Sequence, residues 1–318
     1  MSKSVSVIGT VFVDCKGFAQ QTYLPTGRNL GNIEFMHGGV GRNVAENLAN
    51  LDLPTVFISS VDHSALGREV LDRLNELKID TSYVSIAEQH GMGMWLAILD
   101  EQGNLAGSIS QMPDLSYLEK TIIEQGEHIV RQTSHIALEL DLSGKISQQV
   151  IHHAAIQKKP VYGIPGNLDV ILRNRSLLKS LNCLICNNFE ADRLLGMDYS
   201  NLNTDEQIQT LVNYVSTDGP KSMVITLGES GSVYYDSITK ESGYQPVFPV
   251  QVVDTTGAGD AFFSGTVMGL IRGLHLSQAV IAGTKIAGWT IESKESTCDF
   301  HSKVEQDGFF QGWLKAGV

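Results

Sequence analysis

The chain has 318 residues, 42% of them hydrophobic and 18% charged, with 31 glycines and a formal net charge of −12 at pH 7. That length can bury a sizeable core. The acidic balance argues against general binding to nucleic acid or to an anionic membrane, so any phosphate must be gripped locally.

Ser4 to Gly9 is a short apolar strand ending in glycine, and no run in the chain is long enough to span a bilayer. The N-terminus opens directly into that strand rather than into a signal peptide, so a cytoplasmic, reduced protein is expected, with residues 1–318 as one domain. Asp14, flanked by Val13 and Cys15, reads by itself as a solvent-facing strand residue. Residues 17–32 are polar and rich in turn formers, and Ile33 to Met36 then alternates like a strand. Further on, Gly91 to Leu99 and Leu105 to Ile109 alternate around the turn Asp100 to Asn104, which predicts a hairpin. Residues 15–36 and 90–111 are therefore expected to form a small β-sheet lid. Such a sheet with one apolar face is marginal alone, and a homodimer through the lid is expected to bury it.

Between the two lid segments, His37-Gly38-Gly39-Val40-Gly41-Arg42-Asn43 leads into a helix with Val44, Leu48 and Leu51 on its apolar face. Gly38 and Gly39 invite close approach by a ligand, and the amide of Asn43 can both donate to and accept from hydroxyls. A dinucleotide fingerprint is incomplete here, because Val44 stands where the third glycine belongs. Thr55 to Val61 reads as a strand and Leu66 to Leu77 as a helix.

From Leu115 onward strands and amphipathic helices alternate. The strands are His135 to Leu140, Pro160 to Ile164, Cys183 to Cys186 and Ser222 to Leu227, between helices 115–132, 145–158, 175–181 and 204–215. This predicts an α/β fold: a doubly wound, mostly parallel sheet with helices on both faces, binding ligands beyond the carboxyl ends of its strands. Glu139, Asp141, Asn187, Glu190, Thr226 and Gly228 fall at those ends. Cys183 and Cys186 point to opposite faces of one strand, which suits buried thiols rather than a shared metal or a local disulfide.

The most informative stretch runs from Val252 to Phe263, with Asp254-Thr255-Thr256-Gly257-Ala258-Gly259-Asp260 at its heart. It follows a β-type segment, Pro246 to Val253, and opens an apolar helix over 257–273; helices near 276–291 and 303–315 follow. Unpaired N–H groups and the positive helix end at Gly257 to Asp260 suit an anion. Asp260 reads equally as an acidic cap or as a base beside a phosphate.

The pair Gly38-Gly39-x-x-x-Asn43 and Asp254-Thr-Thr-Gly-Ala-Gly-Asp260, in this order and about two hundred residues apart, resembles the ribokinase-like (PfkB) carbohydrate kinases over essentially the whole chain. Asn29 to Ile33 and Gly38 to Leu48 are most similar to the pseudouridine kinases. The resemblance implies transfer of a phosphoryl group from ATP to a primary hydroxyl of a sugar or ribonucleoside. It implies Asp260 as the base, with Gly257, Ala258 and Gly259 as the anion hole. Asp14, Gly38, Gly39, Asn43, Glu139 and Asp141 would hold the acceptor. Asn187, Thr226, Gly228, Gly231 and Thr284 would contact the nucleotide. Asn187 and Glu190 would organise Mg²⁺ through water, with a monovalent cation, K⁺, at Asp254 and Thr256. Ile164 stands where pseudouridine kinases carry an aspartate, and Glu292 to Thr297 lacks the Gly-Ala that many relatives place beside the cation. A pentose or hexose kinase, and a regulator on the same fold without turnover, are the alternatives.

Overall fold

The computed structural model describes residues 3–140, 142–166 and 168–316. Thirteen strands are present among them: β1 Val5–Ile8, β2 Phe12–Ala19, β3 Gly31–Gly38, β4 Thr55–Asp62, β5 Asp80–Ala87, β6 Gly93–Leu99, β7 Leu105–Gln111, β8 His135–Glu139, β9 Val161–Ile164, β10 Cys183–Asn187, β11 Ser222–Thr226, β12 Ser232–Asp236 and β13 Ser242–Gln245. The helices are α1 Val40–Asn50, α2 Ala65–Glu76, α3 Ser116–Gln132, α4 Gly144–Ile156, α5 Asp169–Arg173, α6 Asn188–Leu195, α7 Thr204–Thr217, α8 Ala258–Ile271, α9 Leu276–Thr290, α10 His301–Gln306 and α11 Gly308–Ala316. None of the described helices is long and apolar enough to cross a membrane.

Nine strands form one sheet in the order β13-β12-β11-β10-β9-β8-β1-β4-β5, parallel from β11 to β5 and antiparallel in the β11-β12-β13 margin. Alternate strand residues feed two apolar layers. Val5, Val7, Cys183 and Ile185 pack toward α1, α2, α8 and α9, whereas Ile8, Leu184 and Cys186 pack toward α3, α4, α6 and α7. Cys183 and Cys186 thus face opposite layers as free, buried thiols, and burial pushes the Cys183 thiol up to about 12. From β1 the chain winds outward through β4 and β5, then returns to build β8, β9, β10 and β11 on the other side. The gap between β1 and β8 is therefore the point where strand order reverses, the place where such sheets bind ligands.

A second sheet has the order β3-β2-β6-β7. Register fixes its two faces. Met36, Asp14, Trp95 and Ser110 lie in one row across the four strands, and Phe35, Cys15, Leu96 and Ile109 in the next row on the opposite face.

Several expectations change. The β5 strand and the β12–β13 hairpin escape the periodic reading, and the turn-rich region 17–32 contains the end of β2. Pro246 to Val253 is an irregular connection rather than a strand, because Pro246 and Pro249 have no N–H for a ladder. The expected helix at 175–181 is a short 3₁₀ helix, Arg175–Ser180. The last helix is split at Asp307, whose carboxylate accepts the N–H groups of Phe309 and Phe310.

The approach of α1 to β1 needs two glycines back to back. A Cβ at Gly41 would lie 2.5 Å from the Gly9 Cα, and one at Gly9 would lie 2.6 Å from the Gly41 Cα. Gly41→Ala should therefore destabilise the protein by about 1–3 kcal/mol, the usual cost of overpacking. An unchanged urea midpoint would show that the two segments can separate freely.

Candidate active site

A pocket of about 290 Å³ opens at this switch point, between the two sheets; Thr10, Phe12, Asp14, Gly39, Asn43 and Asp260 are among its lining. Its floor is held by Glu139, at the end of β8 and 3% exposed. The Glu139 carboxylate accepts the Thr10 N–H at 2.7 Å, the Thr10 hydroxyl at 2.8 Å and the Gly41 N–H at 2.9 Å. These bonds tie the end of β8 to the loop after β1 and to the first turn of α1. Burial raises its pKa, and the Thr10 and Gly41 donors oppose that shift.

Gly39 caps α1 at φ +94°, where a side chain would strike Thr10 O and Phe12 N at 2.7 Å. This left-handed turn brings the α1 N-terminus to the pocket and places Asn43 on its first turn. The Asn43 Nδ2 donates to Asp260 Oδ2 at 2.7 Å. Across the pocket, Asp14 lies half-buried on β2, and a Cβ at Gly38 would lie 3.3 Å from its Oδ2. Burial raises the Asp14 pKa, against the opposing charges of Lys16 and Arg42.

Gly257 caps α8 at φ +80°, and a Cβ there would lie 2.3 Å from Ser296 O. Such a turn is reserved for glycine. The Ala258 N–H bonds Thr255 O at 3.2 Å, so the helix end presents the N–H groups of Gly259 and Asp260 without intrahelical partners. A Cβ at Gly259 would meet nothing within 4 Å, which leaves that side open to a ligand. Asp260 keeps partial exposure toward the pocket. Desolvation pushes its pKa up to about 7; Asn43 and Arg42 oppose this, while the charges of Glu139 and Glu190 reinforce it.

The other expected residues form a neighbouring group at the ends of β10 and β11. Asn187 and Thr226 are direct partners across these strands. Asn187 and Glu190 form a capping box on α6: the Glu190 N–H donates to Asn187 Oδ1 and the Asn187 N–H to Glu190 Oε2, both at 2.8 Å. Burial pushes Glu190 up to about 7, opposed by the Asn187 N–H and by Arg193. Gly228 (φ +59°) and Gly231 (φ +89°) flank a short 3₁₀ turn after β11. Thr284 donates its hydroxyl to Val280 O at 2.8 Å within α9 and is not part of the pocket lining. Asp254 accepts the Thr256 N–H at 2.8 Å, and the turn they form lies against Ile291 O. Asp141 lies outside the described residues.

Sequence reasoning missed Thr10, Gly41, Arg42 and Ser296. Arg42 had a signal, since Arg42 and Glu46 are spaced i, i+4 on a helix with little exposed face. Ser296 had none, lying in an aperiodic loop. A larger cavity, about 470 Å³, sits at the far end of α6 and is lined in part by Arg175, Lys179 and Asp218. Its charges are matched internally: Lys179 pairs with Asp218 at 3.0 Å and Arg175 donates to Leu194 O at 3.0 Å.

A doubly wound sheet covered by a smaller one thus encloses a polar pocket that a carboxylate at a glycine-capped helix end faces. Residues 2–302 match the family described as pfkB family carbohydrate kinase. The chain belongs to that family, and the protein is a carbohydrate or nucleoside kinase. It is 39% identical over 292 residues to a guanosine-inosine kinase of Exiguobacterium acetylicum, covering 92% of this chain and 95% of the relative. It is 26% identical over 276 residues to the pseudouridine kinase of Escherichia coli K12, covering 87% and 86%. The fold matches that of Arabidopsis thaliana ribokinase, solved with ribose and ATP, at TM-score 0.83 and 22% identity over 96% of this chain and 98% of that one.

Folding raises the Asp260 pKa from 3.8 to about 7, so the folded chain binds this proton more tightly than the unfolded one. The resulting stabilisation is fully present below about pH 4 and is lost as pH rises through 7. Asp260→Asn removes that dependence. It should stabilise the fold at pH 8 relative to pH 5 by on the order of 1 kcal/mol, discounted for contact with solvent. Thermal melts of both proteins at the two pH values test this, and an equal difference at each pH counts against it.

Proposed function

We propose that the protein transfers the γ-phosphoryl group of ATP to a primary hydroxyl of a ribonucleoside, with purine ribonucleosides of the guanosine–inosine type as first choice. The observation that carries this is Asp260, a carboxylate titrating near neutrality at the donor end of α8. It is a poor neighbour for a phosphate unless it takes a proton. The acceptor hydroxyl gives its proton to Asp260 as its oxygen bonds the γ-phosphorus, and the bond from phosphorus to the bridging oxygen breaks to release ADP. The N–H groups of Gly259 and Asp260 face the charge that gathers on the phosphoryl oxygens. Gly257 shapes their turn. Asp14, with the second N–H of the Asn43 amide, holds ribose hydroxyls against the pocket wall, while Gly38 and Gly39 give them room.

The choice of nucleoside follows the relatives. A purine ribonucleoside is placed ahead of pseudouridine, because the guanosine-inosine kinase is 39% identical to this chain over 292 residues and the pseudouridine kinase 26% over 276. ATP lies along Asn187, Thr226 and Gly228, at the strand ends beside the pocket.

Among the described residues no group of three or more acidic, His or Cys side chains could cage a metal. Mg²⁺ is commonly held through few carboxylates plus phosphates, and Asn187 and Glu190 would be the residues that hold it here. Mg²⁺ supplies charge neutralisation of the phosphates when bound. Asp254 and Thr256, which form one turn, offer hard oxygen donors that would suit K⁺.

The face of the smaller sheet turned away from Asp14 exposes Ile33 (70%), Phe35 (57%) and Ile109 (68%). We assign it to a second copy of the chain, paired face to face. Burying it would hold the lid over the acceptor and exclude water that could compete for the phosphoryl group.

An ADP-release assay with guanosine, inosine, pseudouridine and ribose tests the substrate. Turnover of a purine nucleoside is expected, and turnover of ribose alone would overturn the nucleoside assignment. Asp260→Asn should lower kcat by about 10² to 10⁴ with little change in acceptor KM. Sedimentation should give a dimer at micromolar concentration, shifted toward monomer by Phe35→Lys; a fully active monomer would refute the pairing.

A further inference from the structure

Besides Glu139, two heavily buried charges lie beside the pocket, Arg42 and Glu46. Arg42 is 3% exposed and Glu46 is fully buried. Arg42 Nη1 donates to Glu46 Oε1 at 2.7 Å. Glu46 Oε2 accepts the Thr297 hydroxyl at 2.9 Å and is also approached by Arg73 Nε at 3.5 Å. The remaining donors of Arg42 turn the other way. Nη2 donates to Ser296 Oγ at 3.1 Å and to the His37 carbonyl, and Nε donates to Gly38 O at 3.4 Å.

A guanidinium can only donate. Ser296 Oγ, having accepted from it, has a single proton to pass on. Asn43 Oδ1 at 3.2 Å is the nearer acceptor, and the His37 carbonyl at 3.4 Å already receives the Arg42 N–H. The Asn43 amide oxygen is thereby fixed toward Ser296. Its NH₂ must point to Asp260 Oδ2, at 2.7 Å. The reverse orientation would set the amide oxygen against the ionised carboxylate of Asp260, two acceptors with no proton between them. The chain runs one way because it is anchored at both ends: the guanidinium can only donate, and the ionised carboxylate of Asp260 can only accept.

We propose that Arg42 and Ser296 are positioning residues: by fixing the direction of the hydrogen bonds Arg42 to Ser296 to Asn43 to Asp260, they hold one oxygen of Asp260 and leave the other to take the acceptor proton. The same loop carries a second constraint, since Ser296 O is the atom a side chain at Gly257 would strike. One loop therefore steadies both the base and the turn that presents the phosphoryl donors. This inference rests on the reading of Asp260 as the base.

The test is a graded series at one buried position in the full chain: Ser296→Cys, a similar shape with a weak donor, and Ser296→Ala, with none. Steady-state kinetics with inosine and ATP should show kcat falling about 10-fold for Ser296→Ala, the scale of one oriented hydrogen bond, with Ser296→Cys between it and wild type. The KM for ATP should stay put. The acid limb of kcat/KM should move to higher pH, since Asp260 loses a fixed donor. The charges that face Asp260 are Arg42 on α1, Glu139 at the end of β8 and Glu190 on α6, and Asp14 on β2 lines the same pocket. Neither variant changes any of them.

A loss of melting temperature with wild-type kcat and an unmoved acid limb would mean that Ser296 only packs, and overturns the proposal. Where Ser296→Ala fails to fold, Ser296→Cys decides alone: a kcat below wild type at unchanged ATP KM supports it, and wild-type kcat overturns it. Asp260→Asn serves as the reference. If that variant keeps near-normal kcat, the base assignment itself is wrong; if it is inactive while Ser296→Ala is unimpaired, only the positioning role is lost.

Discussion

The carboxylate of Glu139 is the joint on which the rest depends. It ends β8 at the reversal of strand order and gathers donors from the loop after β1 and from the first turn of α1. Burying a carboxylate is costly unless its lone pairs are used, and here three donors from two segments use them. Those segments can reach it only because Gly9 and Gly41 meet without side chains. Asn43 then projects from α1 at the right height to hold Asp260, 217 residues further along the chain. The placement of Asp260 is thus set in part by a second carboxylate, buried and engaged entirely by the protein.

The two carboxylates divide the work by their surroundings. Glu139 is enclosed and fully engaged inside the protein. Asp260 has one fixed donor and an open side toward the pocket, so its desolvation is only partly compensated and its proton affinity rises toward neutrality. In the proposed reaction a carboxylate of that strength would take the acceptor proton during transfer and release it to water afterwards. Asp260 therefore needs the enclosure that raises its pKa as well as the donor that keeps the rise moderate.

Much of this was legible in the chain, and the limits were physical. Strands β8 to β11 alternate with amphipathic helices, so the parallel sheet and its ligand-binding edge followed from period alone. The glycine turns at 38–39 and 257–259 were visible because a left-handed backbone leaves a compositional trace. Strand β5 was hidden by its mixed, half-exposed residues. Pro246 to Val253 misled because apolar alternation resembles a strand even where prolines remove its donors. Glu139 was found, but as a ligand contact; nothing in a linear sequence announces that its oxygens are met by Thr10 and Gly41. Ser296 was invisible for a related reason, since a single hydroxyl in an irregular loop matters only through what lies 253 residues away.

The interior position of β1 in the large sheet also imposes an order in time. It pairs with β4 on one side and with β8 on the other, and the β8 contact spans 130 residues. At a synthesis rate of about 5–20 residues per second, roughly 7 to 26 seconds separate the emergence of β1 from that of its second neighbour. Through that interval a strand whose four residues are all buried in the finished fold has one edge unpaired. The acceptor side of the pocket, Thr10 to Asn43, is therefore synthesised well before Glu139 arrives to tie it together, and Asp260 follows later still.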